Sequence, residues 1–174
     1  MILLNFAPFP TLFTQRLILR QLKMEDDNEI FYMRSDAVIN QYTGITKAES
    51  INDARQHIEK INTGIENNEW IMWGICLKDD PQLIGTIGLW HLDAEENTAE
   101  IGYVLIPAFQ KKGIMYEALS AVMEYSFTVM QLSSVVADLE IENLASVRVL
   151  ERAGFVFEQT SDIGALYVLE KVKS

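Results

Sequence analysis

Cysteine and histidine are scarce in this sequence, which holds one cysteine, Cys76, and two histidines, His57 and His91. A lone cysteine cannot form an internal disulfide, and its apolar surroundings predict a small buried side chain rather than a nucleophile. The histidines have no acids or thiols at ligand spacing, so the sequence predicts no metal site. Its own apolar core must therefore stabilise the fold, and 49% hydrophobic residues are enough to build one.

Basic residues are also few: 14 Lys and Arg stand against 25 Asp and Glu, for a net charge of -11. This balance argues against a nucleic-acid partner, and it is compatible either with attraction of a cationic substrate or with simple solubility. No apolar run approaches the roughly 18 residues of a membrane span, and the apolar start Met1–Leu4 lacks the basic flank of a signal peptide. The sequence thus predicts no membrane partner and a cytoplasmic location.

Repeats, low-complexity stretches and linkers are absent as well, which predicts one domain over residues 1–174. Apolar periodicity predicts the order β-α-α-β-β-β-α-β-α-β-β. The predicted strands are Arg16–Leu22, Glu69–Lys78, Gln82–Leu92, Thr98–Ile106, Ser133–Leu139, Phe155–Glu158 and Ala165–Val172. The predicted helices are Glu25–Arg34, a second one that runs to about Asn67 behind a Thr46/Glu49 capping box, one from Gly113, and Asn143–Ala153.

The strand–helix–strand segment from Thr98 to Leu139 predicts one locally parallel pair, while the other strands are expected to be antiparallel. The fold class is therefore α/β (α+β), with a mixed, mostly antiparallel sheet and helices on both faces.

Two polar segments are candidates for chemistry. Gln110–Met115 joins an apolar strand to an amphipathic helix, and Gly113 lets the main chain approach a ligand closely. The first N–H groups of a helix lack partners and lie at its positive end, which suits a pyrophosphate, and two lysines add positive charge; a plain connection is the alternative. Asn143–Phe155 begins with a good N-cap and carries Ser146 one turn in; alone, it predicts only a capped, packed helix.

Together these segments resemble the Gcn5-related N-acetyltransferase (GNAT) superfamily. The matching motifs are Q-x-x-G-x-M at Gln110–Met115 and N-x-A-S-x-R-V-L-E-R-A-G-F at Asn143–Phe155. The start T-Q-R-L-I-L-R at Thr14–Arg20 and the strand A-E-I-G-Y at Ala99–Tyr103 are similar to the ribosomal-protein N-acetyltransferase (RimJ/RimL) type. The four motifs occur in the family's order and cover essentially the whole chain.

The resemblance implies a single GNAT-like domain with a splayed central strand pair, and an acetyl-CoA site at that pair. The strand before the loop would pair its main chain with the pantetheine arm, and the next strand would part from it to admit the thioester. The residues implied in coenzyme binding are Tyr103, Val104, Leu105, Gln110, Lys111, Lys112, Gly113, Ile114, Met115 and Asn143.

Three positions depart from the family pattern or specify it further. Many superfamily members carry a tyrosine seven residues after the Asn as proton donor to the departing thiolate, but Leu150 stands here. Lys111 also occupies a position that is often glycine. Ser146 matches a serine of the RimJ/RimL type, and its hydroxyl could stabilise the thiolate.

Direct attack of an amine on a thioester requires a proton acceptor. Glu100 is the candidate base, since it is a carboxylate inside an otherwise apolar strand beside the proposed cleft; a surface acid on an alternating strand is the alternative. His91 could line the acceptor side or simply lie in a turn, whereas His57 is expected to be solvated. The loop Asn40–Thr46 is where the family builds its acceptor pocket.

The sequence therefore predicts an acetyl-CoA-dependent N-acetyltransferase without a metal. Its acceptor would be a primary amine, either a protein N-terminus or a small molecule such as a polyamine. A non-catalytic acyl-CoA-binding protein and a generic nucleotide-binding α/β domain are the alternatives from other classes. The expected assembly is a monomer or a homodimer.

Overall fold

Eight strands form one mixed sheet in the computed structural model, which describes residues 4–173. Their order in the sheet is β1-β2-β3-β4-β5-β6-β8-β7, and β5 and β6 run parallel whereas the other paired neighbours are antiparallel. The strands are β1 (Leu12–Phe13), β2 (Leu17–Arg20), β3 (Ile71–Leu77), β4 (Asp80–Asp93), β5 (Thr98–Leu105), β6 (Ser134–Leu139), β7 (Val156–Thr160) and β8 (Ala165–Glu170). The helices are α1 (Asp27–Ser35), α2 (Ile51–Glu66), α3 (Ile114–Thr128) and α4 (Leu144–Arg152), with 3-10 turns at Met24–Asp26 and Pro107–Phe109.

The predicted mixed sheet and order of elements are confirmed, with two differences. Strand β1 is missing from the sequence prediction because two residues are too few to show an alternation. The predicted first helix begins with a 3-10 turn instead, because Asp26 is buried there and accepts hydrogen bonds from the Arg20 guanidinium at 2.7 and 2.8 Å.

Both faces of the sheet are covered by helices. On one face, the Trp73 ring of β3 packs edge-on against Tyr125 of α3, with centroids 5.6 Å apart. On the other face, Trp90 of β4 packs on Trp70, whose indole N–H donates to the Ile61 carbonyl of α2. We call these the α3 face and the α2 face. Their residues alternate along each strand, because successive side chains of a strand point to opposite sides.

The N-terminus of α2 differs from the sequence prediction. The capping box is formed by Ser50 and Asp53, not by Thr46 and Glu49, which precede the helix. The Asp53 N–H donates to Ser50 Oγ at 3.2 Å, and the Asp53 carboxylate accepts from the Ser50 N–H. Both pairs of residues have the spacing of a capping box. The buried apolar stripe of α2 starts at Ala54, and this determines which pair lies at the start of the helix.

None of the helices within residues 4–173 is long and apolar enough to cross a membrane. Most of the apolar start, Met1–Leu4, lies outside the described residues.

Replacing Ser50 with Ala is expected to lower the free energy of unfolding by about 1 kcal/mol, because it removes the side-chain acceptor at the start of α2. Thr46→Ala is the matched control and is expected to change it by less than about 0.5 kcal/mol. Urea denaturation followed by circular dichroism measures both values. A larger loss for Thr46→Ala than for Ser50→Ala would show that the helix begins where the sequence pattern predicted.

Candidate active site

Strands β5 and β6 pair over three residues only and then part. The register joins Thr98, Ala99 and Glu100 of β5 to Ser134, Val135 and Val136 of β6. Strand β5 continues to Leu105 and β6 to Leu139, each still paired with its other neighbour, β4 or β8. Within the described chain, no strand pairs with the inner edge of β5 beyond Glu100, so main-chain polar groups there are open to a ligand. The predicted splayed strand pair is confirmed.

The loop between β5 and α3 has an unusual main-chain conformation. Lys111 has φ +62° and Gly113 has φ +75°. A left-handed conformation costs a non-glycine residue roughly 1–2 kcal/mol, which explains why a glycine suits the position of Lys111. Gln110 ties this loop to the split, because its side-chain amide donates to the Leu105 carbonyl at 2.9 Å.

The N–H groups at the start of α3 are available for an anion. In the part of the chain that the structure describes, those of residues 111–116 donate to no protein acceptor. Ile114 and Met115 have buried side chains, so only their main chain can contribute. Free N–H groups at the positive end of a helix form an anion-binding site, and left-handed residues in the preceding loop help turn them toward one point.

Positive side chains surround the same loop, although the chain as a whole is strongly acidic. Lys111 and Lys112 are exposed on it. The Arg152 guanidinium of α4 stacks on the Tyr116 ring at 4.0 Å. A β-carbon added to Gly113 would lie 3.5 Å from Arg16 Nη2 and 3.9 Å from Arg152 Nη1. The loop therefore carries the charge that a diphosphate requires.

Arg16 connects the N-terminal segment to this loop. Its Nε donates to Glu117 Oε1 at 2.9 Å and its Nη1 donates to the Lys112 carbonyl at 2.9 Å. The Thr14 hydroxyl and the Arg16 N–H also donate to Glu117 Oε2, at 2.6 and 3.0 Å. Desolvation raises the pKa of the Glu117 carboxyl, but these hydrogen bonds outweigh it, and the pKa lies below its ordinary value. The negative charge of Glu117, which would repel an anion at the start of α3, is thus offset by Arg16.

Two hydroxyl groups meet on the α3 face of the split. Tyr103 of β5 faces the same side as Trp73, because Tyr103 pairs with Ile87 and Ile87 pairs with Trp73. The Tyr103 hydroxyl lies 2.6 Å from Ser146 Oγ on α4. Burial raises the pKa of Tyr103 to about 12, although the hydrogen bond with Ser146 acts in the opposite direction. Sequence motifs assigned Tyr103 only a main-chain role, since its contact lies 43 residues away.

Asn143 and Leu150, the other two positions that the motif singled out here, have structural roles. Asn143 is the N-cap, and its Oδ1 accepts the Ser146 N–H at 3.3 Å. This contact fixes the start of α4 beside the split. Leu150 is a buried core side chain, and because it is a leucine it offers no hydroxyl to the split.

Glu100 lies on the opposite, α2 face, because it pairs with Trp90. One of its carboxylate oxygens, Oε2, lies 2.6 Å from His91 Nδ1. Their side chains are 32% and 80% exposed, so both groups can reach solvent or a substrate. His91 has φ +48° at an irregularity of β4, which aims its ring at Glu100. Sequence reasoning treated the two separately because this irregularity has no clear sequence signal.

His57 is not solvated, contrary to the sequence-based expectation. It is half-buried on α2, where its Nε2 lies 3.5 Å from Arg34 Nη1. Burial lowers the pKa of His57 to about 4, and the charges of Arg34 and Lys60 act in the same direction. Among residues 4–173, no group of three or more His, Cys, Asp or Glu side chains could hold a metal ion.

The family model that describes the acetyltransferase (GNAT) domain matches residues 16–156. The chain belongs to the GNAT family. It is 38% identical over 147 residues to the uncharacterized N-acetyltransferase YoaA of Bacillus subtilis, covering 84% of this chain and 83% of that protein.

Solved GNAT structures share the fold at low identity. A ribosomal-protein alanine acetyltransferase from Vibrio fischeri superposes with a TM-score of 0.78 at 18% identity, covering 92% of this chain and 96% of its own. RimL, a ribosomal α-N-protein acetyltransferase solved with coenzyme A, gives a TM-score of 0.80 at 19% identity, with 92% and 98% coverage. This GNAT protein is therefore an N-acetyltransferase by family, and its fold is that of enzymes that bind coenzyme A.

Arg16→Gln is expected to speed amide hydrogen exchange over residues 117–121, the first hydrogen-bonded N–H groups of α3. It should also lower the free energy of unfolding by about 1 kcal/mol, because two side-chain hydrogen bonds are lost. Arg55→Gln is the matched control: Arg55 Nε donates to Asp27 at 2.8 Å in a comparable exposed pair outside the loop. Arg55→Gln is expected to leave exchange over residues 117–121 unchanged.

The Arg16 effect should also depend on pH. A carboxyl whose folded pKa is depressed stabilises the fold above its unfolded pKa, and this contribution is lost as pH falls through the folded value. The difference between wild type and Arg16→Gln should therefore shrink once the pH falls below the ordinary range of a glutamate. A difference that stays constant down to strongly acidic pH would contradict the role assigned to Glu117.

Proposed function

We propose that this GNAT protein binds acetyl-CoA along the split and acetylates a protein N-terminal α-amine. The observation that carries the proposal is the parting of β5 and β6 beyond Glu100, next to a loop with free N–H groups. An extended thioester arm needs a passage with main-chain partners, and a diphosphate needs a cluster of donors. The split offers the passage, and the loop at its open end offers the donors.

The residues present fit acetyl-CoA. The N–H groups of residues 111–116 would hold the diphosphate, with Lys111, Lys112, Arg16 and Arg152 around it. The exposed edge of β5 from Tyr103 to Leu105 would pair with the pantetheine arm, and Asn143 would contribute mainly by placing α4. When bound, the coenzyme supplies an activated acetyl group.

Glu100 is proposed as the base that removes the proton from the attacking amine. It lies at the closed end of the split, so a thioester threaded from the loop would end close to it. His91 holds Oε2 of the carboxylate, and no group within residues 4–173 donates to Oε1, which can therefore accept a proton. In this arrangement His91 is a positioning residue. The split connects the two faces, so a base on the α2 face can act at a thioester whose sulfur lies on the α3 face.

An α-amine is the better acceptor for a carboxylate base. A protein N-terminus titrates near ~8 and a lysine-type amine near ~10.4, so deprotonating the lysine type costs about 3 kcal/mol more. The two solved relatives named above, which act on ribosomal proteins, point the same way. The chain has an excess of acids, and three of them, Asp93, Glu95 and Glu96, are close to Glu100 in the sequence. This negative charge favours a cationic acceptor of either kind.

Two assays test the function. Calorimetry with coenzyme A and with ATP measures binding, and thiol release from acetyl-CoA measures transfer to peptides of varied N-termini and to a polyamine set. We expect coenzyme A to bind in preference to ATP and peptides to react faster than polyamines. Faster reaction of a polyamine would identify a small-molecule enzyme. Coenzyme binding with no thiol release from any amine would favour a non-catalytic binding protein, and equal binding of ATP would favour a nucleotide-binding domain.

Glu100→Gln is expected to lower kcat at neutral pH by about a hundredfold, because general-base catalysis contributes at least that much. The affinity for coenzyme A should not change, since the carboxylate lies away from the diphosphate loop. Glu96→Gln, which neutralises an exposed acid in the connection between β4 and β5, is the control and should keep wild-type kcat. Wild-type turnover of Glu100→Gln across the pH range would remove Glu100 from the reaction.

A further inference from the structure

We propose that Tyr103 is a positioning residue that orients the Ser146 hydroxyl toward the sulfur of the coenzyme. The proposal rests on the proposed function, because it assigns a partner to the thiolate that acetyl transfer releases. It is carried by the contact of two hydroxyl groups from different elements at the edge of the parted strands.

The main chain holds Ser146 firmly beside the split. Its N–H donates to the Asn143 side chain at 3.3 Å, so the first turn of α4 fixes the position of its β-carbon. Tyr103 comes from the other side of the opening, on β5, and lies 2.6 Å away, oxygen to oxygen. The Tyr103 hydroxyl also approaches the Ser146 carbonyl, but at the longer distance of 3.4 Å. Ser146 Oγ is therefore closer to the Tyr103 hydroxyl than the Ser146 carbonyl is, and it is the better hydrogen-bond partner.

The direction of this hydrogen bond decides what Ser146 can do. A serine hydroxyl has one proton, and on a helix it commonly donates that proton to a carbonyl of the preceding turn. If the Tyr103 hydroxyl donates to Ser146 Oγ, the serine proton remains free to point elsewhere. Burial raises the pKa of Tyr103 to about 12, so its phenol keeps the proton at neutral pH and has it available to donate to Ser146 Oγ.

The reaction then balances without proton transfer from either hydroxyl. The amine nitrogen forms a bond to the acetyl carbon, and its proton passes to Glu100 and on to solvent. The bond from carbon to sulfur breaks, and its electron pair stays on sulfur. Ser146 donates a hydrogen bond to this thiolate, and Tyr103 donates to Ser146. Hydrogen bonds to charged groups are about twice as strong as neutral ones, so the pair stabilises the leaving group more than the intact thioester.

The test needs no acceptor, because coenzyme A itself is the probe. The ultraviolet absorbance of its thiolate is titrated on the protein, which gives the pKa of the bound thiol. We expect this pKa to lie lower on wild-type protein than on Ser146→Ala, by about one unit, because a donated hydrogen bond favours the charged form. Tyr103→Phe should lose most of the same shift. The double variant should lose no more than Ser146→Ala, since Tyr103 acts through Ser146.

Tyr125→Phe is the matched control. Tyr125, on α3, is another buried phenol whose pKa is raised by burial. Its ring packs against Trp73 of β3, away from Ser146. It should leave the thiol pKa unchanged, and circular dichroism of all variants checks folding. A wild-type thiol pKa in Tyr103→Phe, or equal effects of Tyr103→Phe and Tyr125→Phe, would overturn the role of Tyr103. Failure of wild-type protein to bind coenzyme A would instead overturn the proposed function itself.

Discussion

The parallel pairing of β5 and β6 ends after Glu100 and Val136, and the rest of the site depends on this interruption. A continuous pair would satisfy its main-chain groups internally and leave no opening in the sheet. Because each strand keeps its other neighbour, the sheet tolerates the gap without unfolding either edge. The connection that follows β5 then delivers the start of α3, with its free N–H groups, to the open end of the gap. The opening in the sheet, and the binding chemistry proposed for it, thus depend on one local interruption of strand pairing.

The sheet also separates the two halves of the proposed reaction. Glu100 and His91 lie on the α2 face, whereas Tyr103 and Ser146 lie on the α3 face, as the strand registers require. A base on one side can meet an amine while hydroxyls on the other side hold the leaving group. Such a division keeps the proton acceptor away from the hydroxyl pair whose protons must remain in place. Charge is also unevenly distributed along the chain, since Arg16 and Arg152 lie at the loop whereas Glu95 and Glu96 follow β4.

The sequence predicted much of this because the relevant signals are local. The periodicity of Ala54, Ile58 and Ile61 determines α2, and the loop with Gly113 occurs as one uninterrupted motif. Contacts between distant segments could not be predicted in this way. Arg16 and Glu117 are 101 residues apart, and Tyr103 and Ser146 are 43 apart, so no spacing rule relates them. The Ser50 cap was missed for a different reason: two consecutive patterns have the spacing of a capping box, and burial of the helix face determines which of them starts α2.

A crystal structure of this GNAT protein with coenzyme A tests the central claim most directly. The account predicts that the diphosphate contacts the N–H groups of residues 111–116 and that the arm passes between β5 and β6, with the sulfur near Ser146. A coenzyme bound elsewhere, or strands that pair along their whole length around an empty loop, would contradict it.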